Sequence, residues 1–483
     1  MRKYAAASAT PVYQPADGLI SGSKWSSTTV TYSFPQKATD YGRGYSEAKK
    51  FVAFNAGEQA AFKTVIDQVV SFTNLNLNLA ATASSADIRI GKSTLQGADA
   101  WAYYPGTGKG GDAWFDVGLG APQGGKGGMD WKAIQPGDYS YTVFMHEFGH
   151  SLGLKHSFEN GGTAGAVPKQ YDSLEYTVMS YDAFQTNPYD SAVDSRDWWA
   201  DNGNNPQTFM TLDIAALQKM YGADFTYNQG ATKYQWNEAT GALSVNGVSK
   251  DLNSATDVIF MTVWDGNGAD EYDFSNWTSN VKVDLTPGGW TILDYMDPID
   301  PDQRADLLAG DGVQWAVGNI SNALLFNGDT RSLIENATGG IGNDWLIGNQ
   351  AANVLRGGAG ADKLDGGLGA DILDGGLGAD IFIFDTALGG GNVDSIRGFS
   401  VAEDVIWLDN SIFSAFASEG TLAQEAFYIV GSGQMDAADR IVYDAAAYSL
   451  FYDPDGIGGA GQVKFATLQN VQGSFDANFF LIV

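Results

Sequence analysis

Every histidine of the chain falls within the stretch MHEFGHSLGLKH, which runs from Met145 to His156. His146 and His150 stand four apart, so on a helix both rings leave one face about one turn apart. That spacing suits two nitrogens on one metal ion. Glu147 stands beside the first ring but is displaced around the helix, where a carboxylate reaches a water near the metal rather than the metal. Gly153 lets the chain leave the helix and turn back, so His156 can supply a third nitrogen. Three neutral imidazoles leave one coordination position open, the arrangement of catalytic zinc. A lone histidine is more often a satisfied core residue than a ligand, and HExxH by itself can be structural. Here HExxHxxGxxH is complete and no histidine lies outside it. The pattern favours a catalytic metal.

The elements that must carry these residues are legible around them. YTVFMHEFGHSLGL (Tyr141 to Leu154) reads as a helix stopped near Gly153. NAGEQAAFKTVIDQVVSFTNL (Asn55 to Leu75) places Ala61, Val65, Val69 and Phe72 on one face of an amphipathic helix. FMTLDIAALQKMYGAD (Phe209 to Asp224) is a third helix. ADIRIG (Ala86 to Gly91) and GDAWFDVG (Gly111 to Gly118) read as strands. Strands and helices mixed over this length predict an α/β (α+β) domain at residues 1–224.

Beyond Asp224 helical periodicity fades, and residues 225–483 read as a second, all-β domain. From Gly339 five nonapeptides follow one another: GGIGNDWLI, GNQAANVLR, GGAGADKLD, GGLGADILD and GGLGADIFI. A flexible glycine-rich linker would not hold Leu346, Leu355, Leu364, Leu373 and Phe382 at a strict spacing. The period predicts a parallel β-roll at about residues 336–400 that passes into a β-sandwich. Glycines make the turns, the eighth side chain points inward, and Asp344, Asp362, Asp371 and Asp380 aim carboxylates into the turns. Stacked turns then line oxygen sites for calcium. The second copy carries Asn353 in place of aspartate, which predicts weaker sites at that turn.

Lys and Arg number 27 against 57 Asp and Glu, a formal charge of −30. That balance argues against nucleic acid and anionic membranes as partners and suits cation binding, though a solvated acidic surface reads the same way. No cysteine is present, so bound metal is the available staple. No segment offers the roughly 18 apolar residues of a membrane span. MRKYAAASATPVYQPADG lacks the apolar core of a signal peptide.

HEFGHSLGLKH resembles the zinc signature of the metzincins, and EYTVMSYDAF resembles the Met-turn expected downstream of it. Together with the nonapeptides, this narrows the resemblance to the serralysins, secreted bacterial metalloproteases. SGSKWSSTTVTYSFP, GGDAWFD, DIAALQKMYGAD, TVWDGNGADEYDFS, SLIENATGGIGNDWLIGN and LFYDPDGIGGAGQVKFATL extend it over nearly the whole chain. The resemblance implies His146, His150 and His156 as zinc ligands and Glu147 as catalytic base. Tyr181 would ligate zinc in the resting site and swing toward the oxyanion in turnover, unless it is a packed aromatic beneath a loop. Met179 would floor the site. GGDAWFD would be the edge strand on which substrate adds, with Ala113 and Trp114 as contacts.

For calcium the resemblance implies Asp265, Asp270 and Glu335 and the carbonyls of Gly340, Gly342, Gly358, Gly360, Gly367, Gly369, Gly376 and Gly378. These join the turn aspartates. Ala231 stands where an aspartate is expected, which puts the first calcium site in question. Residues 194–207 and 294–306 look like insertions. FDANFFLIV (475–483) resembles an uncleaved type I secretion signal, or else a buried final strand. The implied protein is a secreted, extracellular, monomeric zinc endopeptidase of broad specificity. Its partners would be protein substrates, a type I secretion apparatus and a proteinaceous inhibitor. The competing reading is a calcium-dependent adhesion module with a decayed protease half, but neither the base nor a ligand is missing.

Overall fold

The first helix shows how the sequence sets its own boundaries. In a computed structural model of the chain, α1 (Ala56–Phe72) starts at Asn55, whose side chain accepts from the Glu58 amide while Glu58 accepts from the Asn55 amide. This reciprocal cap satisfies two amides that the first turn would leave without partners. The buried stripe is Phe62, Val65, Ile66, Val69 and Phe72. Ala61, expected in it, is only half-buried, because the stripe is centred one residue further around the helix.

The structure describes residues 15–483 apart from 43, 96, 118–130, 132, 133, 185–202, 251, 253–257, 296–302, 308–313, 470 and 472. Residues 194–202 and 296–302 of the two expected insertions therefore lie outside the described residues. The chain divides into two compact units, Met1–Asp224 with Asp306–Gln314, and Phe225–Ala305 with Trp315–Val483.

The first unit is built on β1 (Thr29–Ser33), β2 (Asn76–Leu79), β3 (Ile88–Ser93), β4 (Ala100–Ala102) and β5 (Ala113–Asp116). Their order is β2-β1-β3-β5-β4. All pairs are parallel except β4, which runs antiparallel to β5. Against the sheet lie α1 and α2 (Tyr139–Leu152), and α3 (Thr211–Tyr221) closes the unit. Aromatic rings fill the space between sheet and helices, with Phe144 at 5.0 Å from both Phe62 and Phe115. Lys92 on β3 pairs with the buried Glu58 carboxylate at 2.6 Å, so the cap of α1 is also tied to the sheet.

This topology corrects one expectation. GGDAWFD forms β5, which lies between β3 and β4, and Ala113 and Trp114 are fully buried. Their amides and carbonyls already serve the ladder, so no substrate strand can add there. The edge strand on this side of the sheet is β4, with β2 at the opposite edge.

In the second unit the nonapeptides alternate between two sheets. Asn336–Thr338, Val354–Ala359, Ile372–Leu377 and Asp394–Arg397 pair in parallel in one. Trp345–Ile347, Lys363–Asp365, Ile381–Phe384 and Val405–Leu408 pair in the other. Ala337 stands beside Leu355 and Leu355 beside Leu373, so one coil spends two repeats. Leu346, Leu355, Leu364, Leu373 and Phe382 are all 0% exposed. They form the spine of the core. The final strand, Phe480–Ile482, adds to Val405–Leu408, with Phe480 and Ile482 buried. In the folded chain the C-terminal stretch ends in this strand, one face of which is buried. Among the described residues no helix is long and apolar enough to cross a membrane.

Candidate functional site

Helix α2 carries the first two histidines and is buried along nearly its whole length. Gly149, between them, lies against Met179, and a side chain there would strike the methionine sulfur. Gly153 ends the helix in the left-handed region at φ +108°, packed where a Cβ would meet the Ser23 carbonyl. Glycine alone meets both demands. The turn brings His156 back over the helix.

Each ring is held from behind through Nδ1. His146 Nδ1 faces the Val178 carbonyl at 2.7 Å, His150 Nδ1 the Leu154 carbonyl at 2.7 Å, and His156 Nδ1 a Glu159 carboxylate oxygen at 2.7 Å. A carbonyl or carboxylate only accepts, so each Nδ1 carries the proton and each Nε2 presents a lone pair. The three ligand atoms lie within 4.8 Å of one another, and Nε2 of His150 and His156 are 3.1 Å apart. Facing lone pairs at that distance repel unless a cation sits among them. Burial and the neighbouring rings drive His146 well below the ordinary histidine value, and burial first brings His150 down to about 3. Both rings stay neutral and ready to ligate. The donor set fits zinc.

Glu147 projects from the same helix and is buried, which pushes its carboxyl up to about 8. Its Oε2 has no hydrogen-bond partner among the described residues. The Tyr181 hydroxyl lies 2.8 Å from His156 Nε2, and its ring stacks on His146. Met179 is fully buried beneath the cluster. A cavity of about 550 Å³ opens beside His146, Glu147 and Tyr181, with Gly97 to Ala100 along one rim.

Two contributors went unread in the sequence. Glu159 holds His156, and its spacing of three from that histidine was the available signal. Asp213 on α3 accepts from the Val178 and Met210 amides and the Thr177 hydroxyl. It thereby fixes the turn whose carbonyl orients His146. Burial raises its carboxyl to about 7 against those three donors. Ala113 and Trp114 lie away from the cavity lining, on β5.

In the second unit the expected calcium residues form ladders. The Asp344 amide donates to Asp362 Oδ1, the Asp362 amide to Asp380, and the Asn353 amide to Asp371. The ladders continue past the repeats, where the Asp371 and Asp380 amides donate to Oδ1 of Asp394 and Asp404. Those two were missed because the spacing breaks to 23 and 24 residues after a run of 18. Burial and the charges of Asp344 and Asp380 push Asp362 up to about 8, and Asp362 Oδ2 and Asp371 Oδ2 are buried without partners. Carbonyls of Gly340, Gly342, Gly358 and Gly360 stack so closely that a side chain on the next coil would strike them. The buried Oδ2 atoms of Asp362 and Asp371, which no donor satisfies, suit a hard cation.

Asn353 differs from the ladder aspartates. Its Nδ2 donates to the Glu335 carbonyl and Asn349 Oδ1, so the amide supplies the positive group itself. Upstream, the structure gathers Asp265, Asp270 and Glu335. Glu335 accepts from the Asp270 amide at 2.7 Å, and burial with the Asp265 charge pushes Asp270 up to about 8.

Comparison with known proteins agrees with this geometry. Residues 24–164 match the Matrixin family, and residues 338–373 and 347–382 match the RTX calcium-binding nonapeptide repeat. The Metallopeptidase AprA of Pseudomonas marginalis is 30% identical over 351 residues, covering 68% of this chain and 61% of the relative. The Metalloprotease AprA of Pseudomonas entomophila (strain L48) is 32% identical over 424 residues, 80% of this chain and 73% of the relative. Serralysin G of Dickeya chrysanthemi is 29% identical over 343 residues, 68% of this chain and 60% of the relative. The chain thus spans about three fifths of the first and third relatives. The likeness to the second is too long to be confined to either unit, and the chain belongs to the serralysin-type zinc metalloproteases with RTX calcium-binding repeats.

Proposed function

We propose that the chain is an extracellular endopeptidase that hydrolyses protein substrates at the histidine cluster, its second unit being held together by calcium. The observation that carries this reading is the convergence of three Nδ1-anchored imidazoles beside a buried carboxylate that lacks a partner. The Nε2 atoms of His146, His150 and His156 would hold zinc, which when bound would supply Lewis acidity toward a scissile carbonyl and a water. Glu147 takes a proton from the attacking water and delivers it to the departing amine nitrogen, so the proton count balances over the cycle. Burial raises the affinity of that carboxylate for the proton, which keeps it there between the two transfers. The Tyr181 hydroxyl, now on His156, is within reach of a carbonyl oxygen entering the cluster and donates to it as charge develops. Met179 supports the cluster from beneath.

Substrate lies along β4 rather than β5. Among the described residues no strand pairs with the outer edge of β4, so Ala100 to Ala102 offer backbone groups to an extended peptide. Calcium is assigned to the ladder aspartates, now including Asp394 and Asp404, and to the Asp265, Asp270 and Glu335 group. The C-terminal strand acts as the address for a type I route before it folds, which is supported by its resemblance to such signals. The adhesion reading is disfavoured by the intact base and ligands. Casein clearing by the zinc-loaded protein, abolished by a zinc chelator, tests the activity. Glu147→Gln should retain zinc while losing roughly 10²–10⁴ in kcat. Undiminished hydrolysis by that variant would refute the assignment.

A further inference from the structure

We propose that Asp99 makes the cavity beside Glu147 a pocket for a cationic side chain, so that cleavage occurs preferentially next to lysine or arginine. The inference rests on the peptidase reading above and adds the substrate class. Because His146 and Glu147 line the cavity, the side chain it takes belongs to a residue flanking the scissile bond. Its volume of about 550 Å³ accommodates the longest side chains. Val143, Leu174 and Val178 give it an apolar wall along which an aliphatic stem would lie.

Asp99 stands one residue before β4, and its carbonyl accepts from the Asp116 amide at 2.8 Å. It therefore continues the line of the edge strand. The Tyr139 hydroxyl donates to Asp99 Oδ2 at 2.9 Å and fixes the carboxylate at the rim. The other oxygen, Oδ1, accepts no hydrogen bond among the described residues, yet it is not sealed from solvent. Among the described lining residues there is no lysine or arginine to neutralise it. Burial raises the Asp99 carboxyl, as does the Asp116 charge, against the Tyr139 hydrogen bond. A substrate ammonium or guanidinium would supply the missing countercharge.

The test uses the full-length, zinc-loaded protein and quenched fluorescent peptides differing only at the two residues flanking the scissile bond. Arginine or lysine at one of these positions should raise kcat/KM over leucine by about tenfold or more, the worth of one charged hydrogen bond. Asp99→Asn should bring that ratio close to one, and Asp99→Lys should turn the preference toward glutamate. Anisotropy titrations of the same peptides on Glu147→Gln should give the same ranking without turnover. Absence of hydrolysis with the ranking intact in binding would sink the peptidase reading and leave the pocket standing. A wild-type protein that ranks leucine with arginine in both assays, or an Asp99→Asn variant that keeps the full ratio, overturns the proposal.

Discussion

The three histidines are held by two carbonyls and one carboxylate, and the difference has consequences. Val178 and Leu154 offer main-chain oxygens that no substitution removes, whereas Glu159 is a side chain and about 40% exposed. Glu159→Ala should therefore free the His156 ring to turn and weaken zinc binding roughly 10–100-fold. Glu159→Gln, which still offers an oxygen to Nδ1, should recover most of the loss. Competition against a zinc-sensitive chelator reads both, and equal binding by all three proteins would show that His156 needs no such partner. The spacing of His146, His150 and His156 was legible in the sequence because one helix and one glycine turn fix it. Glu159 and Asp213 were not, because their partners are set by how the returning chain and α3 pack.

At the scale of elements, the nonapeptide is half of a structural unit. Each coil closes after two repeats, so the spine residues of neighbouring coils stack within one sheet and face the other sheet. Leu364 is fully buried in the middle of that spine. Leu364→Ala should cost about 2–5 kcal/mol in the calcium-loaded second unit, read by denaturant unfolding. The exposed turn residue Leu368 is the control, expected to change stability by less than about 0.5 kcal/mol on truncation to alanine. Asn353 offers a second probe. Asn353→Asp removes the donors to Glu335 and Asn349 and creates another carboxylate, in which only the oxygen accepting from the Asn349 amide keeps a donor. That variant should unfold at a higher calcium concentration than the wild type when calcium is withdrawn. An unchanged calcium midpoint would mean that the asparagine amide does not take a cation's place.

For the whole molecule, an acidity of −30 without a single cysteine makes calcium the staple. In its absence the ladder aspartates face one another across stacked turns, and the glycine-rich backbone has much entropy to lose on ordering. Binding free energy then becomes folding free energy. Circular dichroism of the full chain should lose much of its β signal in chelator and regain it at roughly 10⁻⁴–10⁻³ M calcium. Magnesium should not substitute, since it holds its waters and demands octahedral ligands. A spectrum indifferent to chelator would mean that the spine alone holds the roll. The proposed calcium-dependent folding would also reconcile the two readings of FDANFFLIV. The folded chain buries Phe480 and Ile482, whereas a chain still unfolded would leave them available to the proposed export route.

The sequence by itself determined what is local and periodic. HExxHxxGxxH specifies a helix and a glycine turn, and a nine-residue period with an apolar eighth position specifies a roll, because near neighbours dictate both. Tertiary structure alone decided which strand forms the sheet's edge. GDAWFD and AWAYY are both short, aromatic and apolar, and pairing between strands distant in sequence puts the first inside and the second at the rim. It also decided that ladders which lose their period after Asp380 still close through Asp394 and Asp404. Last, it decided that Asp99 shares a cavity with Glu147. That meeting joins the approach to β4 with α2, across 48 residues that carry no common pattern.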